Sequence, residues 1–153
     1  MDEAIRTRFG ATQAAARCEL FEWRATPEGR LDEVLVLDQF SRNVYRDTPQ
    51  AFAQDALALA LAQELVASGQ DSSLPLAQRS FAYMPYMHSE SALVHDQAVA
   101  LFSQPGMEDT LRFELRHQEI IGRFGRYPHR NAVLGRESTP EELAFLSEPG
   151  SSF

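Results

Sequence analysis

The chain has 153 residues, 44% of them apolar, and a formal net charge of -8. That length suits one domain with a real core, the apolar share excludes a disordered chain, and the acidic balance argues against non-specific nucleic-acid binding. There is no lysine, so all 14 basic residues are arginines, whose planar fork matches carboxylates and phosphates.

No apolar run reaches the length of a membrane span. Ala56 to Ala62 is all Ala and Leu, but Asp55 and Gln63 bracket it. Met1-Asp2-Glu3-Ala4 lacks the basic-then-apolar order of a secretory signal. Cys18 is the single cysteine, which excludes an internal disulfide and a cysteine-based zinc finger and fits a reducing compartment. The chain is read as cytoplasmic, with no membrane or nucleic-acid partner.

The periodicity is helical nearly throughout. From Asp2 to about Trp23, Ile5, Phe9, Ala16 and Leu20 fall near helical spacing. Thr26-Pro27-Glu28 supplies a cap, a first-turn proline and an acid for the positive helix end. The second helix is predicted from Pro27 to about Arg46, burying Leu31, Val34, Leu35, Leu37 and Phe40. A third runs from Pro49 to about Ser68, closed by Gly69. A polar loop over Gln70 to Ser73 leads to a fourth helix from Pro75, which Pro85 should stop near Tyr83 or Met84. A fifth spans about Ser91 to Phe102, and a sixth about Met107 to Phe124. Residues 125 to 138 read as irregular. Thr139-Pro140-Glu141-Glu142 is a capping box opening a short last helix to about Ser147. No strand pattern competes. The expected fold is a single all-α domain over residues 1–153, an antiparallel bundle or stacked helix pairs of about seven helices.

Four segments carry polar chemistry. The densest is Arg123-Phe124-Gly125-Arg126-Tyr127-Pro128-His129-Arg130-Asn131, where Arg126, His129, Arg130 and Asn131 present donors from a backbone set by Gly125 and Pro128. It is a candidate ligand site and equally a candidate clamp for helix-end carbonyls. In the second helix, Asp38 and Arg42, and Gln39 and Asn43, stand four apart, and Arg46 extends the stripe. That stripe is either a solvated helix end or one wall of an anion pocket. Tyr83 to Glu90 forms an adaptable surface around Pro85, with His88 beside it and Ser89 and Glu90 read as the cap of the fifth helix. Glu114 and His117 have the Glu-x-x-His spacing of di-metal bundles, but only one such motif is present, so His117 reads first as a core-edge histidine.

No phosphate-binding glycine loop, dinucleotide fingerprint or His-Glu-x-x-His occurs, and no cofactor is expected. The candidate ligand residues are Gln39, Arg42, Asn43, Arg46, Arg126, His129, Arg130 and Asn131. The candidate acid–base residues are His88, His117 and His129.

The strings Leu37-Asp38-Gln39-Phe40, Arg42-Asn43, Arg46, Met87-His88-Ser89-Glu90, Gly125 to Asn131 and Thr139 to Phe153 resemble a bacterial family, the "domain of unknown function 924" proteins. The resemblance covers almost the whole chain. It implies an all-α fold of tetratricopeptide-like helix pairs, and it carries no activity or catalytic residues. Family members commonly have proline where Ser41 stands here, which predicts a straighter second helix. They also begin earlier, with a Trp- and Phe-rich segment. A start after that segment predicts either apolar surface used for self-association or a misassigned gene start.

Three functions stay open. One is a binding or scaffold module for a small anionic ligand or an acidic peptide, which requires Arg42, Arg46, Arg126, His129 and Arg130 to converge. The second is a small enzyme with a histidine as acid or base and arginines holding a carboxylate or phosphate. The third is purely structural, with the polar motifs tying the helices together. A fourth, smaller idea has the Phe153 carboxylate docking on the arginines.

Overall fold

The computed structural model describes residues 20–151, together with Thr7 and Thr12. Most of the predicted first helix, Cys18 and Phe153 lie outside the described residues. Phe21–Ala25 is a single 3-10 turn. Helix α1, Pro27–Leu35, begins where the sequence predicts it. The Thr26 hydroxyl accepts the Gly29 N–H at 3.1 Å, and Pro27 occupies the first turn, where no N–H is needed.

The chain then continues through a π turn, Val36–Phe40, into α2, Ser41–Val44. The expected straight second helix is therefore interrupted by a wider turn. The Ser41 hydroxyl points back to the Val36 carbonyl, 3.5 Å away and five residues earlier. Pro49–Phe52 is a 3-10 turn before α3, Asp55–Ala67, and Gly69 closes that helix at φ 69°, a left-handed conformation that favours glycine.

Helix α4, Leu76–Ala82, ends where Pro85 requires it. The proline falls in the first turn of α5, Met84–Met87. The long pair is α6, Ala92–Phe102, packed along α7, Glu108–Phe124. Helix α8, Pro140–Leu146, opens with the predicted capping box. Glu142 N–H donates to Thr139 Oγ1 at 3.2 Å, and Thr139 N–H donates to Glu142 Oε2 at 2.7 Å.

The main core lies between α1, α3, α5 and α6. Leu31, Leu65, Tyr83 and Phe102 are buried there, with the Tyr83 and Phe102 rings meeting edge-on at 5.8 Å. A second cluster joins Val34 and Leu37 to Ala58 and Leu61. A third joins Ile120, Ile121 and Tyr127 to Phe124 and Phe145. Each fully buried large side chain contributes about 1.5–3 kcal/mol, so these clusters hold the helices in place. The fold is all-α, and no helix among the described residues is long and apolar enough to cross a membrane.

Candidate functional site

The π turn places Asp38 inside the protein, 1% exposed, while Gln39, Arg42 and Asn43 follow on the partly exposed side. Arg42 is held twice. Its Nη1 lies 2.7 Å from Asp38 Oδ1, and its two terminal nitrogens grip both Asp55 oxygens at 2.9 Å. Asn43 Nδ2 donates to the Gln39 carbonyl at 3.0 Å, and Arg46 Nη2 donates to Asn43 Oδ1 at 3.3 Å.

His88 enters from the end of α5. Its Nδ1 lies 2.7 Å from Asp38 Oδ1. Burial alone would raise the Asp38 carboxyl, but His88 and Arg42 outweigh it and hold the group at about 2. Asp38 is therefore an acceptor only, and His88 must present its Nδ1 proton to it. Among the described residues no hydrogen bond occupies His88 Nε2, and the side chain is 16% exposed.

The third contribution is the arginine-rich segment. Gly125 ends α7 at φ 69°, with its N–H donating to the Ile121 carbonyl at 2.8 Å. The chain then folds back as the 3-10 turn Pro128–Arg130. Arg130 is almost sealed. Its Nη1 reaches Asp55 at 3.2 Å, its Nη2 reaches the His88 carbonyl at 2.9 Å, and its guanidinium lies 4.7 Å from the ring centres of both Phe52 and Tyr127.

These three segments enclose a cleft of about 870 Å³. Gln39, Arg42, Asn43 and Arg46 line one side, and His129 and Arg130 line another. His88 and His117 also face it, so all three candidate acid–base histidines meet in one place. Burial pushes His117 and His129 down to about 4, so both are neutral near pH 7. His117 also makes a 2.7 Å contact from Nδ1 to the Phe113 carbonyl, as a core-edge histidine would.

Two predicted site residues lie elsewhere. Arg126 grips Glu142 with two nitrogens, at 2.6 and 2.8 Å, and also reaches the Glu137 carbonyl. This pair holds Glu142 down at about 2. Asn131 is buried and donates to Ser138 Oγ at 3.0 Å. Arg126 ties the segment to α8, and Asn131 ties it to Ser138 just before that helix. Glu90 is also not the expected cap. The residue before α6 is Ser91, and Glu90 instead accepts the Tyr127 N–H at 2.8 Å and a two-pronged contact from Arg136.

Sequence reasoning missed Asp55, Arg136 and His95, and it set Glu114 beside His117 when its partner is His95. Asp55 is the shared anion of Arg42 and Arg130, and Arg136 locks the segment through Glu90. His95 and Glu114 are fully buried and face each other across α6 and α7 at 2.6 Å. His95 Nε2 sits 2.8 Å from the Ser89 carbonyl and 3.1 Å from the Tyr127 hydroxyl. Burial pushes the Glu114 carboxyl up, only partly countered by His95. The one available signal was a histidine and a glutamate on the apolar faces of two long neighbouring helices. Among the described residues no group of three or more His, Cys, Asp or Glu side chains could hold a metal ion.

The family described as "Bacterial protein of unknown function (DUF924)" matches residues 1–150. The chain belongs to the DUF924 family. A solved structure of a protein of unknown function, ATU0120 from Agrobacterium tumefaciens, is similar to it. The two are 38% identical with a TM-score of 0.90, over 95% of this chain and 83% of the other. No curated protein matches. The residues that carry the DUF924 resemblance thus divide in this chain. Gln39, Arg42, Asn43, Arg46, His88, His129 and Arg130 face the cleft, whereas Glu90, Arg126 and Asn131 brace its walls.

Proposed function

We propose that this DUF924 protein binds a small organic anion in the cleft between the Gln39–Arg46 stripe and the His129–Arg130 turn. The observation that carries the reading is the meeting of two sequence-distant donor sets on one concave surface of about 870 Å³. Asp38 and Asp55 hold Arg42 and Arg130 rigid, so these arginines shape the wall. Arg46 and the second amide hydrogens of Asn43 and Gln39, whose first ones go to the Gln39 carbonyl and Asp38, are the donors proposed for the ligand's anionic end. The proposed setting is the cytoplasm.

The test is a thermal-shift screen against carboxylated and phosphorylated metabolites. A hit should be lost in Arg46→Ala and kept in Arg126→Ala, whose side chain lies outside the cleft. A flat screen would count against a small ligand and turn attention to an acidic peptide.

The Asp38–His88 contact favours a second reading, in which His88 acts as acid or base on the bound anion. A carboxylate that fixes the Nδ1 proton leaves Nε2 as the working nitrogen. Under this reading Asp38→Asn abolishes turnover of a ligand that the protein still binds. Unchanged turnover in Asp38→Asn, or in His88→Gln, rules it out.

A further inference from the structure

Three successive backbone carbonyls at the end of α5 are each held by a side chain from a distant element. The Tyr127 hydroxyl donates to the Met87 carbonyl at 2.5 Å, Arg130 Nη2 donates to the His88 carbonyl at 2.9 Å, and His95 Nε2 lies 2.8 Å from the Ser89 carbonyl. Helix-end carbonyls have no partner within the helix and commonly turn to water or to a cap. Here all three partners are buried: Tyr127 and His95 are fully enclosed and Arg130 is 6% exposed. Resting on the reading of His88 as acid or base, we infer that His95 and Tyr127 are positioning residues for His88. They fix the peptide groups on both sides of it, so that its ring meets Asp38 through Nδ1 and leaves Nε2 for the cleft.

The proton arrangement supports this. A carbonyl only accepts, so the contact with Ser89 places a proton on His95 Nε2. The Tyr127 hydroxyl gives its proton to Met87, and its oxygen, 3.1 Å from His95 Nε2, is left to accept. His95 Nδ1 then faces Glu114 Oε1 across 2.6 Å with one proton between them. That contact keeps the imidazole from turning over and releasing Ser89. His95 and Glu114 are both fully buried, and Glu114 Oε2 has no hydrogen-bond partner among the described residues. An enclosed ionisable pair with an unmet oxygen is a costly way to cap a four-residue helix. What the pair stabilises is the stretch that carries His88, the titratable side chain joining Asp38 to the cleft.

Two measurements on the full chain follow His88 itself. Ring-nitrogen NMR reads which nitrogen carries the proton, and peptide mapping after diethyl pyrocarbonate treatment reads how fast the free nitrogen is acylated. Both are made at a pH where the spectra show the ring neutral. In the wild-type chain the proton should sit on Nδ1, and Asp38→Asn should slow acylation at least about threefold, the worth of a modest hydrogen bond. Tyr127→Phe and His95→Leu should each bring in the Nε2-protonated form and slow His88 by a similar factor. His95→Gln, whose amide can still donate to the Ser89 carbonyl, should restore both readings towards wild type. A cap that only stabilises the fold predicts the opposite, because loosening exposes the ring and speeds the reagent. If circular dichroism shows that His95→Leu does not fold, Tyr127→Phe carries the test, since it removes a single oxygen. A wild-type tautomer and rate in Tyr127→Phe, or a faster rate, overturns the inference and leaves His88 standing as acid or base. If Asp38→Asn changes neither tautomer nor rate, the acid–base reading of His88 itself falls.

Discussion

Arg130 donates to Asp55 across 75 residues of chain, and the same carboxylate takes both prongs of Arg42. One partly exposed aspartate thus joins the start of α3, the end of the π-containing helix and the arginine-rich turn. Removing the aspartate is the harsher change, since it strands a cation that is only 7% exposed. Asp55→Ala should cost about 3 kcal/mol, because a buried charge is left uncompensated. Arg130→Ala should cost less, about 2 kcal/mol, since Arg42 still holds Asp55. Urea denaturation of the two variants gives the order directly.

Acid should destabilise the protein in two stages. His117 and His129 titrate near 6.5 when unfolded and near 4 when folded. Between those values the unfolded chain binds more protons, so stability falls as pH drops, by about 1.4 kcal/mol per pH unit for each histidine. Asp38 and Glu142 are lowered on folding, from 3.8 and 4.5 respectively, each to about 2. Their contribution is complete above the unfolded values and is lost as pH falls through the folded ones. Unfolding free energy measured from pH 7 down to pH 3 should decline first through the histidine window. Replacing His117 with Gln should roughly halve the slope of that first decline, leaving the share of His129, and should leave the second decline unchanged.

The His95–Glu114 pair gives a prediction about coupling. His95→Leu leaves a buried carboxyl without its partner, and Glu114→Leu leaves a buried imidazole with one nitrogen unmet. Each single change should cost about 3 kcal/mol, and the double change should cost clearly less than their sum. A double-mutant cycle by chemical denaturation that came out additive would contradict this.

Glu90 and Arg136 should govern the local stability of the arginine-rich turn. Glu90 accepts the Tyr127 N–H, and Arg136 ties Glu90 to the Tyr127 carbonyl. Arg136→Ala should lower global stability by only about 1–2 kcal/mol, since the contact is partly exposed. Hydrogen exchange at the Tyr127 amide should rise far more than exchange in α6 or α7.

The helix boundaries were readable because their causes are local. Pro27 and Pro140 fit first turns, Thr26 and Thr139 cap the helices that follow, and Gly69 and Gly125 adopt the left-handed turns that end helices, whereas Pro49 opens a 3-10 turn and the helix expected there begins at Asp55. The polar stripe from Asp38 to Arg46 was readable for the same reason. The π turn was not, since nothing in Val36–Phe40 distinguishes a wide turn from an α turn. Glu90 was misread as a cap because a cap and a long-range anion look alike in a short polar string.

By itself, the sequence determined an all-α chain, most of the places where its helices start and stop, and an arginine-rich turn after the sixth predicted helix; the third helix starts at Asp55 and not at Pro49. These depend on backbone preference and side-chain spacing within a few residues. Only the tertiary structure decided which arginines line the cleft. Arg130 and Arg126 are four residues apart, yet one meets Asp55 and the other Glu142. Guanidinium pairing is short-ranged and directional, so the choice of carboxylate depends on which helix packing brings it within about 3 Å.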